Sequence, residues 1–138
     1  MNLQAKEIGV GQGRSMARIV ICDDDEQVGR FFQQVLRSHE YEVEMVHTAA
    51  TCLAACAQAW PHLLVTDLNL PDMDGCELIR QMRSARPTLP ILAISGASDD
   101  VLQAAQQCGA DRVIRKPVTP AVLRAAAADL LTLHTGTP

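Results

Sequence analysis

Four short runs of this chain end in residues able to handle charge. Arg18-Ile19-Val20-Ile21-Cys22 runs into Asp23, Asp24, Asp25 and Glu26, and Leu63-Leu64-Val65-Thr66 runs into Asp67. Ile91-Leu92-Ala93-Ile94 ends in Ser95, and Asp111-Arg112-Val113-Ile114-Arg115 ends in Lys116-Pro117. Grouped carboxylates bind a hard divalent cation through oxygen, and Mg2+ suits a few of them because it keeps its other positions for water and phosphate oxygens. A lysine and a hydroxyl nearby can hold the rest of a phosphoryl group. With one carboxylate as nucleophile, the set reads as a phosphoryl-transfer site. Taken singly, each residue has a plainer explanation: helix capping for the acidic run, a turn for Asp67 and Ser95, a solvated strand end for Lys116. Capping uses one or two of the four acids from Asp23 to Glu26. Like charges packed together repel, so something cationic is expected among them.

The elements between these residues decide whether they meet. Each run is too short for a helix and is bounded by turn signals, which predicts a buried strand. Val28, Phe31, Phe32, Val35 and Leu36 recur with helical spacing after the first strand, giving one apolar helix face. Tyr41, Val43 and Met45 alternate with Glu42 and Glu44, which predicts a half-exposed strand near a sheet edge. Thr48 to Ala59 reads as an alanine-rich helix, and Cys52 and Cys56 on one face of it read as small core residues rather than metal ligands. Asp74-Gly75 opens a helix with Cys76, Leu78, Ile79 and Met82 as its apolar positions. Ser98 is expected to cap the next helix, which stops at Cys108 with Gly109 as an αL cap. Thr119-Pro120 opens the last helix, which runs to about Leu133. Five strand-then-helix repeats predict an α/β fold with a parallel sheet covered on both faces. In such a sheet all the strand ends named above lie on one edge, where ligands bind.

The totals bound the answer further. At 138 residues the chain suits one domain: a leader over 1–16, the folded unit over 17–134 and a short tail over 135–138. Gly9, Gly11 and Gly13 in the leader follow no strand, so they read as a flexible segment and not as a phosphate loop. Net charge is −4 and the pI is near 5.5, which argues against direct nucleic-acid binding. No apolar run approaches the roughly 20 residues of a membrane helix, and no signal segment is visible. The five cysteines show no framework spacing, so a cytoplasmic protein with reduced thiols is expected.

The pieces Ile21-Cys22-Asp23-Asp24, Thr66-Asp67-Leu68-Asn69-Leu70-Pro71-Asp72-Met73-Asp74-Gly75, Ile94-Ser95-Gly96 and Lys116-Pro117 stand in the order and spacing of a known family. From Arg18 to about Leu133 the chain resembles the receiver domains of bacterial two-component response regulators, with the stand-alone chemotaxis receivers as the nearest type. The resemblance implies a flavodoxin-like (βα)5 doubly wound sheet with strand order 2-1-3-4-5. It implies Asp67 as the phosphoacceptor, taking a phosphoryl group from a phosphohistidine of a sensor histidine kinase or histidine phosphotransfer protein. It implies Mg2+ on Asp24, Asp67 and the backbone carbonyl of Asn69, with Asp23 acting through water. Lys116 would neutralise phosphoryl oxygens, Ser95 would hydrogen-bond the attached group, and Pro117 would follow a cis peptide. By the same resemblance Asn69 and Ala97 lie near the path of the attacking water. One position departs from the family: Val113 stands where an aromatic residue is usual. The implied partner surface joins the fourth helix (α4, Asp99–Cys108), the fifth strand (β5, Arg112–Arg115) and the last helix (α5), with a phosphorylation-dependent homodimer as one use of it. Ala125 to Ala128 on that last helix fit either plain helix propensity or a close-packing contact.

The reading is of a signalling module that catalyses only its own phosphorylation and dephosphorylation, not of an enzyme with external turnover. Such a module acts alone on another protein or belongs to a longer regulator. Two rivals remain at this level. A pseudo-receiver would keep the fold for docking alone, with Val113 as its one sequence hint. A small Mg2+-dependent phosphohydrolase would use similar groups, but no cap or substrate-binding segment is visible.

Overall fold

Short aliphatic runs with no polar residue inside them have to be buried on both sides, and parallel strands between helix layers provide that environment. The computed structural model describes residues 16–38 and 40–135, with side chains to Thr132. The leader glycines and the last three residues lie outside the described residues. The element order is β1 (Ala17–Cys22), α1 (Glu26–Leu36), β2 (Tyr41–Val46), α2 (Ala49–Gln58), β3 (Leu63–Thr66), α3 (Gly75–Ala85), β4 (Ile91–Ser95), α4 (Asp99–Cys108), β5 (Arg112–Arg115) and α5 (Pro120–Thr135). All strand pairs are parallel and the order across the sheet is β2-β1-β3-β4-β5, the expected 2-1-3-4-5 arrangement.

Period-two alternation divides the core. Ile19, Ile21, Leu63, Val65, Leu92 and Ile94 face α1 and α5 with Phe32, Leu36 and Leu123. Val20, Cys22, Leu64, Ile91 and Ala93 face α2, α3 and α4 with Leu78, Ile79 and Met82. Each such aliphatic, fully buried, contributes about 1.5–3 kcal/mol relative to exposure. Ala126 and Ala127 are buried against the first of these layers, so the alanine run of α5 does make a close contact. Strand β2 stands at the sheet edge and alternates as expected, with Glu42 and Glu44 exposed.

Local signals hold in most places. Asp25 caps α1 by accepting from the N–H groups of Gln27 and Val28, and Thr48 closes a capping box with Thr51 on α2. Asp74 caps α3, and Thr119 Oγ1 accepts from Val122 N–H at the start of α5. Four expectations need correction. Ser98 precedes α4 but makes no side-chain cap bond. Gly109 has a positive φ of +127°, beyond the αL region. Phe31 is 40% exposed instead of lying in the apolar face, because it borders a surface groove next to β5. Cys22, Cys52 and Cys56 are free and buried, but Cys76 and Cys108 are paired as a disulfide, against the expectation of five reduced thiols. Their Cα atoms are 5.8 Å apart, a distance that α3–α4 packing alone sets and that no spacing rule reveals.

The turn between β3 and α3 is held by close backbone approach. Gly75 N–H donates to Leu68 O at 3.0 Å, and a Cβ on Gly75 would lie 2.4 Å from Leu68 Cα. Backbone cannot yield as a side-chain tip does. Gly75→Ala is therefore expected to lower stability by about 3 kcal/mol in urea unfolding, at the upper end of overpacking costs. An unchanged midpoint would show that the turn adapts.

Candidate functional site

Three of the candidate residues are the first residue after a strand, and each still bonds to the neighbouring strand. Asp23 N–H donates to Val46 O at 3.1 Å, Asp67 N–H to Cys22 O at 2.9 Å, and Lys116 N–H to Ser95 O at 2.9 Å. The site is thus built on the last rung of the sheet, where parallel register puts side chains from β1, β3 and β5 at one edge. Asp24 follows Asp23 and is exposed, while Asp23, Asp67 and Ser95 are buried. One carboxylate oxygen from each of Asp23, Asp24 and Asp67 lies within 4.8 Å of the others.

Lys116 joins the two buried acids. Its Nζ donates to Asp23 Oδ2 at 3.1 Å and to Asp67 Oδ2 at 3.2 Å. The other oxygen of each acid is held by backbone. Asp67 Oδ1 accepts from Leu68 N–H at 2.6 Å and Asn69 N–H at 3.2 Å, and Asp23 Oδ1 accepts from Asp25 N–H at 2.9 Å. Asp67 therefore presents Oδ2, bonded only to a movable ammonium, at the open edge. Ser95 stands at the end of β4 beside β3, with its Oγ accepting from Ala97 N–H at 3.2 Å. The Lys116–Pro117 peptide is cis, as expected. The structure thus brings together Asp23, Asp24, Asp67 and Lys116. Ser95 sits on the same edge without touching their side chains, and the side chain of Asn69 is outside this group.

Burial raises the pKa of Asp23, against the lowering effects of the Asp25 N–H and of Lys116. Burial alone would push the Lys116 ammonium down, but its hydrogen bonds and charge contacts with Asp23 and Asp67 outweigh that, and its pKa is raised. A second cation here would relieve the cost of ionising Asp23.

Several contributors carried no sequence signal. Asp72 reaches from the β3–α3 loop to accept from Ala49 N–H at 2.8 Å and Ala50 N–H at 2.9 Å, and these bonds lower its pKa. It ties the loop after Asp67 to the start of α2, and its partners lie 23 and 22 residues away. His47 Nδ1 is 3.0 Å from Asp23 O and braces the β1 end. Thr66 Oγ1 donates to Asp67 O at 2.8 Å. Beside Lys116, the groove of about 420 Å³ is lined by Val28, Phe31, Phe32, Pro117 and Val118. An exposed apolar patch would have been legible only if the outward side of α1 had been known.

The family model of the response regulator receiver domain matches residues 19–128, most of the chain. The chain belongs to this family. Similar curated proteins include the response regulator MprA of Mycobacterium avium, 37% identical over 102 residues, or 72% of this chain and 44% of the relative. MprA of Mycobacterium tuberculosis is 36% identical over the same share. This receiver domain spans under half the length of those relatives. Among solved structures, a CheY-like receiver domain protein from Methanospirillum hungatei superposes with a TM-score of 0.83 at 33% identity, covering 88% of this chain and 98% of that one. Vibrio cholerae CheY4 gives 0.78 at 26% identity, covering 84% and 99%. The receiver domain is a module of two-component signalling, and among its described residues no helix is long and apolar enough to cross a membrane.

The ion pairing generates a pH-dependent expectation. A raised lysine pKa contributes stability that is complete below the ordinary value and is lost as pH rises through the folded value. A raised carboxyl pKa contributes in the same direction, so ionised Asp23 weakens the fold as pH rises from acid. Lys116→Met leaves both buried carboxylates without a cation, and is expected to cost about 2 kcal/mol at pH 7. The cost shrinks as the solution is made acid, because Asp23, whose pKa burial raises, takes up a proton there. Urea unfolding of both proteins across that range checks the sign. An equal loss at both ends would mean that lost packing, not charge, is the cause.

Proposed function

We propose that this receiver domain takes a phosphoryl group onto Asp67 from a phosphohistidine of a sensor histidine kinase or histidine phosphotransfer protein. The observation that carries the reading is the convergence of the Asp23, Asp24 and Asp67 carboxylates with the Lys116 ammonium at one sheet edge. Asp67 Oδ2 attacks phosphorus, an O–P bond forms, the P–N bond breaks, and its electron pair stays on the donor imidazole. The Leu68 and Asn69 N–H groups hold Oδ1 and so fix the carboxylate plane during attack. Lys116 holds Asp67 Oδ2 by a hydrogen bond and then neutralises a phosphoryl oxygen. Ser95 exchanges its bond to Ala97 N–H for one to the attached group, which draws the β4–α4 loop inward.

The donor set fits Mg2+: all of its atoms are hard oxygens, and three carboxylates face a single ammonium, so the edge is net negative. Asp24, Asp67 and the backbone carbonyl of Asn69 would hold the ion, with Asp23 through water. Bound there, Mg2+ would supply positive charge against the phosphoryl oxygens. Chemistry stays within the chain, as self-phosphorylation and dephosphorylation without external turnover. The signal would leave through the α4-β5-α5 face, to an output protein or a second copy of the chain. Val113 is half-buried beside α4 and cannot swing as a ring would, so backbone movement of the β4–α4 loop carries the change. The groove at Phe31 gives a phosphodonor protein an apolar seat next to Asp67. In this reading the exchange takes place in the cytoplasm.

Intact mass after incubation with acetyl phosphate tests this reading. A labile gain of one phosphoryl group is expected, requiring both Mg2+ and Asp67, and absent in Asp67→Asn. Phe31→Ala should leave acetyl phosphate labelling unchanged and slow transfer from a protein donor by about tenfold, the size of a lost apolar anchor. No gain from either donor would leave a docking fold without phosphoryl chemistry.

A further inference from the structure

Outside the acidic edge, the chemistry-bearing groups of the described residues fall into two sets of cysteines. Cys22, Cys52 and Cys56 are buried in the layer under α2. Cys76 and Cys108 are half-exposed and paired across α3 and α4. We infer that Cys76 and Cys108 form a reversible thiol–disulfide site, exchanging with a small cellular thiol, whose oxidised form restrains α4 against the loop that carries Asp67.

Placement supports the restraint. Cys76 is the second residue of α3, and the residue before it is packed on Leu68, the neighbour of Asp67. Cys108 ends α4, the helix that follows Ser95. One covalent bond therefore joins the arm leaving Asp67 to the arm leaving Ser95. The opposite end of α4 is lightly held. Ser98 lacks a cap bond, Gly96 has open space around its Cα, and the side-chain ties there come from the half-exposed Arg115, to Ala97 O and to Asp99.

The local contacts suit both redox states. With the bond broken, the Cys76 thiol can donate to Ala104 O, 3.5 Å from its sulfur and one turn before Cys108. Other contacts also tie the C-terminal end of α4. Arg83 donates to Gly109 O at 2.7 Å and pairs with Asp111 at 2.9 Å, and Ala105 remains buried. The cross-link is thus one of several ties at this end, which reduction would loosen without removing the others. Reduction by a thiol RSH is balanced in two steps. A thiolate attacks one sulfur, forming a mixed disulfide and releasing the other cysteine as a thiolate that takes up a proton. A second thiolate then attacks the RS sulfur of the mixed disulfide, and the protein cysteine leaves as a thiolate that takes up a proton, giving two protein thiols and RSSR.

The test uses the full chain equilibrated in defined ratios of reduced to oxidised glutathione, then treated natively with iodoacetamide and weighed intact. Two alkylations at Cys76 and Cys108 are expected under reducing ratios and none under oxidising ratios, with Cys22, Cys52 and Cys56 labelled only after denaturation. Two labels at every ratio, or none at any, overturns exchange. Hydrogen exchange on the same samples reads the restraint: amides of α4 should exchange about tenfold faster when reduced. The Cys76→Ser/Cys108→Ser variant should match the reduced rate under both conditions. Equal α4 protection in both states overturns the restraint. The consequence for signalling rests on the phosphoacceptor reading. Acetyl phosphate labelling of both forms separates the two ideas, since loss of labelling in both removes that reading and leaves the alkylation pattern as it is.

Discussion

The repulsion between carboxylates at the last rung of the sheet is the constraint that the rest of the site answers. Parallel pairing places Asp23 and Asp67 side by side with no freedom to part, because each N–H is bonded to the adjacent strand. Burial then removes the water that would screen them. The chain compensates with a lysine from the far side of the switch in strand order, and with backbone N–H groups that occupy the inner oxygen of each acid. The compensation is incomplete: burial first, and the Asp67 charge to a lesser degree, still hold the pKa of Asp23 above the ordinary carboxyl value. An incompletely neutralised edge is a poor device for stability and a good one for gathering a cation and a dianionic group. The same residues that cost folding energy are those the proposed chemistry uses.

The loop after Asp67 is the second part of that design. Gly75 presses it onto Leu68, Asp74 caps α3, and Asp72 fastens it to α2. The loop after Ser95 is held by fewer ties, Ala97 N–H to Ser95 Oγ and the partly exposed Arg115 to Ala97 O and to Asp99. One arm of the edge is thus more firmly tied than the other, and in the proposed reading that contrast lets a change at Asp67 appear at α4. The Cys76–Cys108 pair is placed where it would erase the contrast.

Much of this was legible in the residues themselves. Runs such as Leu63–Thr66 are strands because their length and flanks leave no alternative, and the strand–helix alternation orders them. Once the sheet is parallel, Asp23, Asp67, Ser95 and Lys116 must share an edge, so the fold and the meeting of the site residues come from one inference. What was not legible depends on helix rotation and on contacts between elements far apart in the chain. Phe31 and Phe32 are adjacent and equally apolar, and only the packing of α1 against the sheet and α5 decides which is covered. Cys76 met Cys108 through the packing of α3 on α4, and Asp72 found its partners on α2 across 23 residues. Periodicity sees one element at a time and is blind to such pairs.

The sheet has two open edges, and the β2 edge carries Glu42 and Glu44 in alternate positions. A second copy adding its own β2 there would set glutamates against glutamates over several residues. Self-templated growth of the sheet into a fibre is therefore opposed by charge at the place where unpaired backbone would otherwise invite it. A half-exposed strand of this kind keeps a receiver domain from pairing edge to edge while leaving its helical faces available for contacts.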